Sequence, residues 1–139
     1  LYLLVFKTGS SFTPLTLVCF ALSIALSFLI RFAWNYIIAT LTFYVENSWG
    51  LSVASSYLIA LFSGQLIPLP LVPEPFHAIL RHMPFASMID TPVSIGSGII
   101  PSSGVLPALG LQLAWAVVLG LLGRAVFARA SRAITLHGG

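Results

Sequence analysis

Charge is what this sequence has least of. Only 6% of its 139 residues are Asp, Glu, Lys or Arg, against about a quarter in an ordinary soluble domain. With 58% hydrophobic residues and a mean hydropathy of +1.04, the chain has too little polar surface to cover a water-soluble core and reads as a membrane protein. Cysteine is almost missing: Cys19 stands alone inside an apolar run, which excludes an internal disulfide and leaves no thiol-based metal or redox pattern. There is no Gly-x-x-x-x-Gly-Lys-Ser/Thr run, so the chain cannot cradle nucleotide phosphates in that manner. Nor is there a basic face for nucleic acid, because the net charge of +3 is carried largely by Arg124, Arg129 and Arg132 near one end. No repeat and no low-complexity tail interrupts the chain. The opening LYLLVF is apolar without the basic start and small-residue cleavage site of a secretory signal. Residues 1–6 are therefore expected to be the tail of an earlier span in a longer protein.

What is present is apolar helix punctuated by proline. KTGSSFT at Lys7–Thr13 reads as a loop, and Pro14 stands where a first helical turn tolerates it. From there to Tyr44 the only charge is Arg31. A helix over 14–44 would reach roughly 45 Å, against a hydrocarbon core of about 30 Å. It is expected to project beyond the bilayer rather than bend near Arg31, the alternative in which Trp34, Asn35 and Tyr36 form an interfacial belt. The turn ENSWG at Glu46–Gly50 leads to a second span over about 51–71, whose Ser52, Ser55, Ser56, Ser63 and Gly64 allow close helix contact. The two helices should be antiparallel neighbours.

The stretch Leu51–Phe85 is the pivot. Pro68, Pro70, Pro73 and Pro75 follow one another within a few residues, and each removes a backbone donor and clashes with the preceding turn. The helix must break near Pro68 and resume as a short piece over about 76–82 until Pro84 stops it. A broken or re-entrant hairpin over about 73–85 results, and the expected fold is an all-helical transmembrane bundle. Ala86–Ser103, rich in Gly, Pro and Ser, is too interrupted to span and must lie at the surface or under protein. The last span runs over about 105–128, and 129–139 forms a tail. The arginine cluster at that end places it in the cytoplasm. The hairpin then lies on the outer side and Glu46–Gly50 on the inner side, with Lys7 and Arg81 as two charges outside.

Glu74, His77, Arg81, His82 and Asp90 are the one dense ionisable group. His77 and His82 are five apart, which puts their rings on different faces of a helix, so an amphipathic surface helix explains them better than a metal site. Arg31 either snorkels to the cytoplasmic interface or serves a partner or substrate, since an unpaired charge in hydrocarbon costs at least a few kcal/mol. Glu46 is equally a solvated turn residue or an ion-pair partner. Asn35, Gln65 and Gln112 fit interhelical hydrogen bonds. None of the three histidines falls in an expected span, which leaves intramembrane hydrolysis without a base.

The order of FYVENSWGL (Phe43–Leu51), FSGQLIPLPLVP (Phe62–Pro73), Met83-Pro84-Phe85, Thr91-Pro92 with Gly96, and an arginine-flanked last helix resembles the six-span permease subunits of type-2 ATP-binding-cassette exporters. The likeness covers nearly the whole chain, as the fourth to sixth spans plus the end of the third. It implies an exporter permease moving a hydrophobic or amphipathic substrate such as a drug, lipid or peptide. It also implies a second permease in a homo- or heterodimer, and a separate nucleotide-binding ATPase that carries the ATP and Mg. No cofactor or catalytic residue is implied for this chain, which would be a multi-pass plasma-membrane protein. Candidate pathway or gate residues are Arg31, Trp34, Tyr57, Gln65, Pro68, Pro73, Pro84 and Phe85, with Phe32, Trp34 and Tyr57 toward the dimer interface. Glu46 and Trp49 would lie at the turn near the ATPase. A non-transport structural subunit of a membrane complex, or less readily an intramembrane enzyme, are the competing classes.

Overall fold

The structure, a computed structural model, describes residues 14–45, 48–67 and 69–135. The expected span end at 1–6, the loop at 7–13, and the positions of Glu46, Pro68 and 136–139 lie outside the described residues. Among the described residues every regular element is helical, as the hydropathy requires. α1 covers Pro14–Leu41 and passes through Arg31 without a break, ending in a single 3-10 turn at Thr42–Tyr44. Its 28 residues make a rod of roughly 42 Å at 1.5 Å per residue.

α2 covers Ser48–Phe62, 15 residues, or roughly 22 Å. It stops well before residue 71, where the sequence reading ended the second span. Prolines are not what ends it. Ser63 N–H closes the last regular bond on Ile59 O at 2.9 Å, and Gly64 then turns to φ +82°, a left-handed value that costs glycine nothing and other residues about 1 kcal/mol or more.

The proline-rich continuation does not trail away. A 3-10 turn at Leu69–Leu71 leads to α3 (Phe76–Arg81), α4 (Pro84–Met88) and α5 (Asp90–Gly96). The segment 86–103 was read as irregular, yet it contains most of α4 and all of α5. Pro84 is the first residue of α4 and Pro92 the third of α5, places where a backbone N–H has no helical partner in any case. Both helices are covered by protein: Ala86, Ser87, Met88, Thr91, Pro92, Ser94 and Ile95 are buried. α6 then runs Ser102–Thr135, longer at both ends than the 105–128 span read from sequence, with Pro107 inside it.

α1 and α6 form the frame and run parallel. Ser23 meets Gln112 at one level, and Tyr36 lies against Gly123 at another, so both chains advance in the same direction. α2 returns alongside α1, held where Trp34 Nε1 donates to Ser55 Oγ at 2.8 Å. Between these helices α4 and α5 are wedged. Ile30, Ala33, Ile37, Ile59, Met88 and Leu119 form one buried cluster, and Leu26, Ile95 and Leu109 a second.

Polarity is distributed as a bilayer demands. Ser23, Ser27, Thr40, Ser55, Ser63, Ser87, Thr91, Ser94 and Gln112 are buried, while Leu15, Phe28, Phe32, Leu106, Leu113 and Leu121 are among the large apolar side chains left exposed. In water this arrangement would forfeit most of the available hydrophobic stabilisation. In lipid the exposed faces are solvated, and the small and polar residues hold the helices together. Pro14–Leu41 and Ser102–Ser131 are each long and apolar enough to cross a bilayer.

Candidate functional site

A groove opens between α1 and α2. Arg31 contributes from α1, and Trp49, Ser52, Ser56 and Tyr57 contribute from successive turns of α2, with Gln65 just beyond that helix; the space is about 570 Å³. The helical spacing explains the lining, since residues three to four apart share a face. A smaller recess of about 200 Å³ shares the same arginine and lies between Ile24, Ser27 and Phe28 of α1 and Met88 and Pro92 of α4 and α5. Ile24, Phe28 and Arg31 form one stripe along α1, and Arg31 borders both spaces.

Donors and acceptors are unequal in the groove. Ser52 and Ser56 donate their hydroxyl protons to the carbonyls of Ser48 and Ser52 at 3.0 and 2.9 Å, and so present only lone pairs. Neither of the two described carboxylates lies beside Arg31. Glu74 Oε1 is 3.0 Å from His77 Nδ1, and Asp90 faces Arg81 and His77.

Behind the groove an aromatic bracket joins three elements. Trp34 meets Phe85 edge to face at 5.0 Å between centroids, and Phe62 lies 6.0 Å from Phe85. Trp34 thus turns inward and is half-buried, whereas Phe32 and Tyr57 are exposed at 70% and 69%. Pro84 sets the turn that presents Phe85, Pro73 is exposed, and Trp49 is 75% exposed near the start of α2. Four of the residues singled out from sequence, Arg31, Trp49, Tyr57 and Gln65, therefore share one wall-lined space. Trp34 and Phe85 pack against each other instead. Gln65 is exposed in the groove and Asn35 is exposed on α1, so of the three amides only Gln112 binds helices together.

A second polar feature lies at the heart of the bundle. Gln112 of α6 is fully buried; its Oε1 accepts from Ser23 Oγ at 2.9 Å. Its Nε2 donates to Ser87 O at 2.8 Å, to Ser27 Oγ at 3.0 Å and more weakly to Ser23 O at 3.3 Å. One amide, its own donors and acceptor all paired as burial requires, thus ties α1, α4 and α6 together, while the buried Ser87 Oγ has no partner. Near the start of α5, burial raises the pKa of Asp90, against the opposing pull of the Arg81 and His77 charges and a hydrogen bond from Ser94. Gly64 is packed close to this carboxyl, since a Cβ there would come within 3.5 Å of Asp90 Oδ1. Sequence reasoning gives Gln112 as an interhelical group without its partners, and does not give the Asp90–Gly64 contact.

No group of three His, Cys, Asp or Glu able to hold a metal occurs among the described residues. A family model described as ABC-2 family transporter protein matches residues 2–138. No curated protein and no solved structure matches the chain.

Proposed function

Because the chain belongs to the ABC-2 transporter family, we propose that it is the permease subunit of an ATP-driven exporter that moves a hydrophobic or amphipathic molecule. The coarser part of that statement, a membrane permease of the ATP-binding-cassette class, follows from membership itself. The finer parts are a separate nucleotide-binding ATPase, a second permease as dimer partner, outward direction, and a C-terminus in the cytoplasm of a plasma-membrane protein.

The observation that carries the proposal is the extent of the family match, from residue 2 to residue 138. Two features support it. The sequence holds no Gly-x-x-x-x-Gly-Lys-Ser/Thr run, which is in keeping with ATP being bound on a separate subunit. The groove at Arg31 opens between the first two described helices and is lined from both, as a substrate path between helices would be. On this reading the α3–α5 segment forms the outer gate, and selectivity comes from aromatic and apolar side chains with one cation among them.

Co-purification tests the reading. The permease extracted in mild detergent is expected to bring down a nucleotide-binding subunit whose ATPase rate changes when the permease is present. A preparation that retains its fold but never associates with an ATPase would instead favour a structural subunit.

A further inference from the structure

We propose that the Arg31 groove is a binding site for an anionic lipid-like amphiphile, with its headgroup at the guanidinium and its acyl chain in the recess beside Phe28. The inference deepens the permease reading by naming the chemical class that the groove takes.

The argument begins with Arg31. A guanidinium keeps its charge under all ordinary conditions, and in an apolar helix that charge has to be compensated. No described carboxylate does so: Glu74 is engaged by His77, and Asp90 faces Arg81 and His77. The wall around Arg31 carries further donors, the Trp49 indole N–H, the Tyr57 hydroxyl and the Gln65 amide. The two serine protons there are already bonded to the helix backbone. A cation with no described carboxylate beside it, in a wall that holds further donors, calls for an occupant that is negative in charge and can accept hydrogen bonds.

The second space decides that the occupant has a tail. Arg31 is shared with the recess lined by Ile24, Phe28, Met88 and Pro92, about 200 Å³ in volume. Those walls are apolar, and Met88 is a side chain that adapts to irregular contents. A groove of mixed lining, with Ser52, Ser56 and Gln65 among apolar side chains, and a mainly apolar recess share this one charged residue, which matches a headgroup and a chain joined at that point. A free inorganic anion would leave the recess without a role.

The test uses the full chain purified in a neutral maltoside detergent. Phosphatidylglycerol and phosphatidylcholine of equal chain length are titrated into it, and bound lipid is read by native mass spectrometry. Quenching of Trp49 by brominated chains, taken as the difference from Trp49→Phe, gives a second readout. Phosphatidylglycerol is expected to bind about tenfold or more tightly than phosphatidylcholine, the size of one charge-assisted contact. Arg31→Gln should abolish that preference, and Arg31→Lys should keep much of it. Ile24→Trp, which fills the recess, should weaken a long-chain lipid more than a short-chain one.

Equal binding of the two lipids by the wild type, or an unchanged preference in Arg31→Gln, would overturn the site. Competition by inorganic phosphate as effective as that of the lipid would overturn the tail. Should Arg31→Gln fail to fold, the lysine and Ile24→Trp variants still decide the matter. These measurements need no ATPase, so failure of co-purification would sink the permease reading and leave the lipid site standing, and the reverse holds equally.

Discussion

Ser23 on α1 donates its hydroxyl to the Oε1 of Gln112 on α6 at 2.9 Å, across 89 positions of sequence and with both residues fully buried. This contact sets the register between the two long parallel helices, and the amide nitrogen of the same residue reaches Ser87 of α4. Replacing Gln112 with Met keeps the length and removes every bond. Two carbonyls and two hydroxyls would lose a partner, at a cost of about 1–3 kcal/mol. Gln112→Glu should be worse than Met, because it turns an oxygen toward the Ser87 and Ser23 carbonyls in place of a donor. Thermal unfolding in detergent measures both, and a glutamate variant as stable as wild type would contradict the network.

Sequence alone located α1, the short α3 and the last helix, because long apolar runs and clustered prolines act locally. The end of α2 was not legible. Ser63-Gly64 stands among the interruptions and small-residue contacts of the run, but the break is expected near Pro68, whereas it is the positive φ of Gly64 that turns the chain, and a backbone angle leaves no mark on hydropathy. The α4 and α5 helices were hidden for a related reason, since proline reads as a breaker unless its place in the first turn is known. Gln112 was recognised as an interhelical group, but its partners depend on which faces meet, and neither periodicity nor composition gives that. The groove was half legible: Arg31, Tyr57, Gln65 and Trp49 were singled out one by one, and only the fold brings them together.

Glycines on α6 allow a comparison within one helix. A Cβ on Gly123 would come 2.9 Å from Tyr36 Cδ1, whereas a Cβ on Gly110 would meet nothing within 4 Å. Gly110→Ala should therefore gain up to about 1 kcal/mol from helix propensity. Gly123→Ala has the same intrinsic gain but must push Tyr36 away from the helix, which also disturbs its contact with Phe127 at 5.8 Å. A melting temperature raised by Gly110→Ala and lowered by Gly123→Ala is the expected pair of results.

The link between α1 and α2 rests on Trp34 Nε1 donating to Ser55 Oγ at 2.8 Å. Trp34→Phe keeps an aromatic ring against Phe85 and loses the donor, and Ser55→Ala loses the acceptor. Within a bilayer such a bond contributes about 0.6 kcal/mol on average. A double-mutant cycle should return a coupling of that order and favourable sign. A coupling of zero would mean that α2 is held by packing at Ile59 and Phe62 without help from this bond.

Asp90 gives a pH dependence whose sign can be worked out. Burial raises its pKa in the folded protein, outweighing Arg81, His77 and the Ser94 hydrogen bond. The fold therefore favours the protonated carboxyl. That contribution is full below the unfolded-state pKa and is lost as pH rises through the higher folded value. Asp90→Asn, a mimic of the protonated form, should be more stable than wild type at neutral pH, with the difference shrinking on acidification. Arg81→Gln should enlarge the wild-type penalty at neutral pH, because the first of the opposing charges is gone. Unfolding curves across the acid range check all three, and an Asn variant less stable than wild type at neutral pH would reverse the assignment.

Arg31 connects stability with transport. It is exposed on α1 and borders both spaces of the groove, so Arg31→Leu breaks no described contact and adds an apolar side chain to a lipid-facing helix. The variant should insert and melt at least as well as wild type, since removing a charge from an apolar segment relieves a cost of a few kcal/mol. Export in proteoliposomes reconstituted with the ATPase should nevertheless fall for anionic amphiphiles, and fall less for neutral ones. Exposure alone would leave export of both classes unchanged, and that outcome would remove the arginine from the substrate path.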